Sequence, residues 1–264
     1  MRVESNGLDI HYIAPRGLPT ANSKVVLLVH GAGGSTNHFD AVIPLLAPEL
    51  VPIALDLPGQ GESGGTVPDS VEELVTCIDT FLTATGITGP ICYVGHSFGG
   101  LIGLKFALTY PDRVSSLVLV ASAARLRFHP DFIEQASSRN WNLDLLRNSF
   151  SPEIPEDHQQ LVLNDLPKLR LPAGSDTLTK WGDVDLRPEL NRINVPVLCM
   201  VPTDDVIVSP RNGRLLAREI PGAILREAPG AGHYLNVERP EFLADEINGF
   251  LVASALTASS GERG

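Results

Sequence analysis

The stretch Tyr93-Val94-Gly95-His96-Ser97-Phe98-Gly99-Gly100, YVGHSFGG at residues 93–100, decides the fold. It ends the apolar run ICYVGH (91–96) and opens the helix-like segment GGLIGLKFALTYP (99–111) with no linker between them. A serine between glycines at such a junction is either a tight-turn residue or a nucleophile raised above the end of a strand. The glycines permit strained torsions and close packing, and the dipole of the following helix favours negative charge at the serine. The G-x-S-x-G pattern alone does not discriminate, because Gly61-Glu62-Ser63-Gly64-Gly65 matches it equally. That second match follows DLPGQ and runs into TVPDS, with no strand before it and no helix after it, so Ser63 is expected to be a loop residue.

Outward from this junction, continuous apolar runs recur at KVVLLVH (24–30), VPIALD (51–56), SSLVLVA (115–121) and VPVLCMV (195–201). Runs without polar alternation are what strands buried on both faces look like, so a parallel sheet covered by helices is expected. Helix-like segments lie between them at 69–86, 211–222 and 240–256, the first with Asp69 and Ser70 as caps and Gly86 as its stop. Alternating strands and helices predict a doubly wound α/β domain. The opening MRVESNGLDIHYIAP reads as an antiparallel hairpin turned at Asn6-Gly7. From Ala123 to Asn194 no core strand is evident, and PDFIEQASSRNWNLDLLRNSF and PEDHQQLVLNDLPKL read as amphipathic helices. The expected organisation is a core domain in two parts, 1–122 and 195–256, a helical lid at 123–194 inserted after the sixth strand, and a disordered tail at 257–264.

Composition bounds the function classes. At 264 residues, 43% hydrophobic and 19% charged, the chain is of globular type and large enough for one full core. A net charge of −11 argues against nucleic acid and anionic membrane surfaces as partners, since both require basic patches. There is no apolar run of about 18 residues that could span a membrane and no signal-peptide pattern. The three cysteines, Cys77, Cys92 and Cys199, are widely spaced in apolar segments, as free thiols of a cytoplasmic protein would be.

A serine hydroxyl needs a base, and the base needs an acid to orient it. Of seven histidines, His30 and His96 sit in glycine-rich turns beside strands, where structural hydrogen bonding is the better reading. His233 lies in APGAGHYLNVERPEF, a glycine-rich loop between the strand-like AILREA and the last helix, where a precisely placed base belongs. With the chain order serine, acid, histidine, the acid falls to Asp204 or Asp205 at the end of VLCMVPTDD. The loop His30-Gly31-Ala32-Gly33-Gly34 offers backbone N–H groups for one oxyanion donor, and the N–H of Phe98 supplies the other. The loop carries neither G-x-x-x-x-G-K-[ST] nor G-x-G-x-x-G, which disfavours nucleotide binding.

Four separated motifs in order, HGAGG, DLPGQGES, GHSFGG and GAGHYLNVERPEF, resemble the α/β-hydrolase superfamily, in its lid-bearing branch of serine esterases, lactonases and carbon–carbon bond hydrolases. The resemblance implies Ser97 as nucleophile, His233 as base, Asp205 before VIVSP as the acid, and Ala32 and Phe98 as the oxyanion-hole donors. It marks Asp56 as structural, and the chain departs from the family's pattern in having Pro202 where glycine is usual. A serine at 97 is unlike the dehalogenases and epoxide hydrolases of the fold, which attack with aspartate. The implied reaction is hydrolysis of a small to medium, largely apolar ester or lactone, with no metal or organic cofactor. Alternatives are cleavage of a diketone acid, acyl transfer, or a receptor role. Candidate pocket residues from the lid are Phe128, Phe132, Trp141, Leu145, Leu146 and Trp181, while Arg125 and Arg127 are expected to be solvated or paired with carboxylates of the lid.

Overall fold

The computed structural model describes residues 1–20 and 23–261, and the side chains of these except 144–145 and 255–261. Eight strands form one sheet: β1 (Arg2–Ser5), β2 (Leu8–Ile13), β3 (Lys24–Val29), β4 (Leu50–Leu55), β5 (Ile91–His96), β6 (Val114–Val120), β7 (Val197–Pro202) and β8 (Ile224–Ala228). Their order is β1-β2-β4-β3-β5-β6-β7-β8, parallel from β4 onward and antiparallel at β1-β2 and β2-β4. The sheet is the doubly wound one that the apolar runs predict. Asn6 and Gly7 both have positive φ, 53° and 76°, as a hairpin turn of this hand requires.

The helices are α1 (Val71–Ala84), α2 (Phe98–Thr109), α3 (Pro130–Ser138), α4 (Leu143–Arg147), α5 (Glu156–Leu163), α6 (Thr177–Asp183), α7 (Pro210–Glu219), α8 (Leu235–Glu238) and α9 (Pro240–Gly261). α1 starts where the sequence places its cap, with Ser70 Oγ accepting the N–H of Glu73. α9 runs on past residue 256, where the tail was expected to begin, and 262–264 lie outside the described residues.

Why the central strands read as unbroken apolar runs is visible in β3. Val25, Leu27 and Val29 pack into the core on the side of α1, α2 and α7, while Val26 and Leu28 pack into the core on the side of α9. Each face of the strand has its own helical layer, so after the exposed Lys24 every position is apolar. Between β6 and β7 the chain adds α3, α4, α5 and α6 with short 3-10 turns at Leu166–Lys168 and Arg187–Arg192. Phe150, Ile154, Val162, Leu163 and Leu166 of this insertion form a separate apolar cluster with Tyr234 and Val237 from beyond β8. The insertion therefore rests on the loop that carries His233. Among the described residues no helix is long and apolar enough to cross a membrane.

One core histidine carries a stability prediction. His30 is fully buried; its Nδ1–H donates to the Gly31 carbonyl at 2.7 Å and its Nε2 accepts the N–H of Leu57 at 3.0 Å. Burial holds its pKa down at about 4, outweighing the opposing pull of the Asp56 carboxylate. A second proton would sit on Nε2 and break the Leu57 bond. Since the unfolded histidine titrates near 6.5, the unfolded state binds more protons between about 6.5 and 4. This contribution to stability is thus complete above pH 6.5 and is lost as pH falls toward 4, by on the order of 3 kcal/mol at most. Thermal unfolding across this range should show the fall, and His30→Asn should flatten it relative to wild type. An equally steep acid slope in the variant would assign the effect to other groups.

Candidate active site

β5 delivers Ser97 at its C-terminal end, and α2 begins at the next residue. Ser97 has φ 52° and ψ −118°, a backbone state costly for a residue with a Cβ. The turn is held from two sides: Ser97 N–H donates to the Val120 carbonyl at 2.8 Å, and Ser122 Oγ donates to the Ser97 carbonyl at 2.7 Å. It can close only with glycine beside it. A Cβ on Gly95 would lie 2.4 Å from the Gly99 carbonyl, and one on Gly99 would lie 2.4 Å from the Val29 carbonyl. Ser97 itself is half-buried.

Ser97 Oγ lies 3.0 Å from Nε2 of His233, and His233 Nδ1 lies 2.8 Å from Asp205 Oδ2. The second contact fixes the tautomer, with Nδ1–H donating to the carboxylate and Nε2 free to accept from the serine. Asp205 Oδ1 accepts the N–H groups of Ile207 and Val208, both at 2.8 Å, which aims the other oxygen at the imidazole. Of the two adjacent carboxylates, Asp205 is buried and makes this contact, whereas Asp204 is exposed and accepts from the Thr203 hydroxyl. The Pro202 that departs from the family's glycine simply ends β7, paired with Ala228.

His233 is also held by its backbone. Its N–H donates to the Ser149 carbonyl at 2.7 Å, and its carbonyl accepts Nε2–H of His96 at 2.9 Å. Burial, together with the neighbouring His233, pushes the His96 pKa well below the ordinary histidine value, so it is a neutral tether. Glu238 supports the same loop, its carboxylate accepting N–H groups from Gly232, Tyr234 and Ser151.

On the opposite side, the Gly31–Ser35 turn after β3 passes so close to the elbow that a Cβ on Gly31 would lie 3.1 Å from Ser97 Cβ. Among the described residues, the N–H groups of Ala32 and Phe98 donate to no protein acceptor. Their neighbour Gly33 is engaged, its N–H donating to Gln60 Oε1 at 2.7 Å. Asp56 is a latch away from Ser97: it accepts the N–H of Thr36 at 2.6 Å and of Glu62 at 2.8 Å, and its Oδ2 lies 2.9 Å from His11 Nδ1.

The aromatic candidates form a row. Trp181 stacks on Phe98 with ring centroids 4.5 Å apart, Phe128 meets Phe98 edge-on at 5.6 Å, Phe132 stacks on Phe128 at 5.6 Å, and Trp141 meets Phe132 at 5.5 Å. Trp181 is fully buried, so its role in the row is packing against the elbow helix; Phe128, Phe132, Trp141 and Leu146 are half-buried. The Leu145 side chain lies outside the described residues. Arg125 pairs with Asp185 at 3.6 Å; with the exposed Arg127 and with Arg187 it lines a cleft of about 370 Å³ that does not include Ser97. Among the described residues no group of three metal-ligating side chains gathers where a metal ion could be held.

The match to the alpha/beta hydrolase family spans residues 26–246. The chain belongs to that family. It is 31% identical over 234 residues to a pimeloyl-[acyl-carrier protein] methyl ester esterase of Neisseria meningitidis, covering 83% of this chain and 89% of that one. Among solved structures, an enol-lactonase from Burkholderia xenovorans superposes with a TM-score of 0.80 at 23% identity, over 96% of this chain and 100% of the other. A lipase-esterase related protein from Clostridium acetobutylicum gives 0.77 at 25% identity, over 91% and 99%. As an alpha/beta hydrolase, the chain is a hydrolytic enzyme.

Sequence alone assigns no role to Gln60 and Glu238, which lie within the motifs DLPGQGES and GAGHYLNVERPEF, or to Ser149 and Asp165 in the helical insertion, because each acts on a backbone group or a partner that only the fold brings near.

Proposed function

We propose that the chain hydrolyses a small to medium, largely apolar carboxylic ester or lactone through an acyl-enzyme, in the cytoplasm. The observation that carries this is the continuous contact from Ser97 Oγ through His233 to Asp205, with Ser97 only half-buried. In the first half-reaction Oγ attacks the ester carbonyl carbon while its proton passes to His233 Nε2. The carbonyl π pair becomes an oxyanion facing the N–H groups of Ala32 and Phe98, which among the described residues have no protein acceptor to give up. Asp205 holds the imidazole and stabilises it once it is charged. Collapse expels the alkoxide, which takes the proton from His233. A water, deprotonated by the same nitrogen, then attacks the acyl carbon, and Ser97 leaves with its proton restored.

The helical insertion 123–194 is assigned the role of lid. Phe128, Phe132 and Trp141, half-buried and continuous with Phe98, form the apolar wall for the acyl or alcohol part. The name of the Neisseria meningitidis relative supports an ester as substrate. Buried free thiols at Cys77, Cys92 and Cys199, the last two with pKa values pushed up to about 12 by burial, support a reducing compartment.

The test is labelling by a fluorophosphonate probe followed by turnover of p-nitrophenyl esters of increasing acyl length. Labelling of Ser97 with steady turnover is expected, with a chain-length optimum set by the wall. Labelling without turnover would overturn ester hydrolysis and favour a carbon–carbon hydrolase, an acyltransferase or a receptor.

A further inference from the structure

We infer that Asp165, on the insertion, is a positioning residue that holds the Ala32 peptide in place through Ser35. The inference rests on the reading of the Ala32 N–H as an oxyanion donor. That N–H must stay unpaired to be useful, so the turn around it has to be fixed by its neighbours. On one side Gly34 N–H donates to the Gly31 carbonyl at 3.1 Å, and Gln60 accepts from Gly33. Beyond Ser35, Thr36 N–H donates to Asp56, and two further fixings come from the insertion. Ser35 Oγ donates to Asp165 Oδ2 at 2.5 Å, a bond between residues 130 apart in sequence. Next to it, Leu166 Cδ2 sits where a Cβ on Gly33 would fall, 2.8 Å away, at a position whose φ of +76° only glycine adopts freely.

Asp165 is 1% exposed, and its surroundings are built to keep it ionised. Lys168 Nζ lies 3.0 Å from Oδ1 and His38 Nε2 lies 3.4 Å from Oδ2. Burial would raise its pKa, but the neighbouring His38 imidazole, the Ser35 hydrogen bond and the Lys168 ammonium outweigh it and leave the carboxyl at about 2. A charged acceptor makes the Ser35 bond a strong one. The same insertion takes the His233 N–H on the Ser149 carbonyl. It thus holds the turn beside one proposed oxyanion donor and the loop of the proposed base, and its seating on the core is coupled to the geometry of both.

The experiment is a double-mutant cycle of Ser35→Ala and Asp165→Asn in the full chain, with Ser35→Thr as the conservative control. Ser35→Ala leaves Asp165 its His38 and Lys168 partners, and Asp165→Asn keeps the shape, so at least one should fold; far-UV circular dichroism and thermal unfolding establish which do. Each folded single variant is expected to lose about ten- to a hundred-fold in kcat with KM little changed. The double variant should lose clearly less than the product of the two single losses, because both disturb the Ser35–Asp165 bond, although Ser35→Ala also removes the oxygen that accepts the Asn37 N–H at 3.2 Å. Ser35→Thr should recover most of kcat. A second readout is inhibition by an aryl trifluoromethyl ketone: Ser97 Oγ adds to its carbonyl carbon, the proton goes to His233, and the oxygen becomes an anion at the Ala32 and Phe98 N–H groups. Its affinity should fall in parallel with kcat. A folded Ser35→Ala variant with wild-type kcat, losses that multiply in the double variant, or a ketone affinity that does not move would each overturn the inference. Failure of the proposed function itself looks different, since the wild type would then turn over none of the esters, whether or not Ser97 is labelled.

Discussion

Ser97→Ala is expected to lower kcat/KM on a p-nitrophenyl ester by about ten-thousand-fold or more, and to abolish fluorophosphonate labelling, with the fold unchanged. The reason for expecting so clean a separation is that, among the described residues, Ser97 Oγ bonds only to His233, while the turn is held by the serine's backbone N–H and carbonyl. Removing the hydroxyl therefore takes away the nucleophile and none of the scaffold. The other G-x-S-x-G serine should behave in the opposite way. Ser63 is buried; its hydroxyl donates to the Asp56 carbonyl at 2.7 Å and accepts the N–H of His11 at 2.9 Å. Ser63→Ala should cost about 1–3 kcal/mol in unfolding free energy and leave labelling intact, as checked by denaturant unfolding beside the same probe. Substantial turnover surviving in Ser97→Ala would remove the acyl-enzyme mechanism altogether.

The second large effect separates two neighbouring carboxylates. Asp205→Asn should reduce kcat near neutral pH by about ten-thousand-fold, because an amide can present its NH₂ to His233 and so favour the wrong imidazole tautomer. Asp204→Asn should stay within roughly threefold of wild type, since an exposed carboxylate bonded to Thr203 contributes little at a distance. Steady-state kinetics on both variants at several pH values decides the matter. Comparable losses in the two would mean that the acid is shared or misassigned.

Much of this was legible because it is written in local chemistry. The parallel sheet follows from runs such as KVVLLVH, in which each face of the strand must be apolar, and the hairpin follows from Asn6-Gly7, whose positive φ values few other pairs accept. The elbow is legible for the same reason: Gly95 and Gly99 stand where backbone carbonyls leave no room for a Cβ. The pocket residues were less legible. Aromatic side chains in a helical insertion look alike in sequence, yet Trp181 is sealed against Phe98 while Phe128 and Phe132 keep an open face. Which of them is sealed depends on how the helices of the insertion sit against α2, a contact that no local pattern encodes.

By itself, then, the sequence determined the alternation of buried strands and helices, the turn that raises Ser97, and a short choice of base and acid, since each of these is set by the torsions and burial that particular residues tolerate. Only the tertiary structure shows which of Asp204 and Asp205 has backbone donors on its carboxylate and lies 2.8 Å from His233. It also decided that the insertion reaches back to both loops beside Ser97, through Ser149 to His233 and through Asp165 to Ser35. Those contacts join residues 84 and 130 positions apart. They exist because a buried carbonyl or carboxylate must find a donor, and only the folded chain determines which donor is within reach.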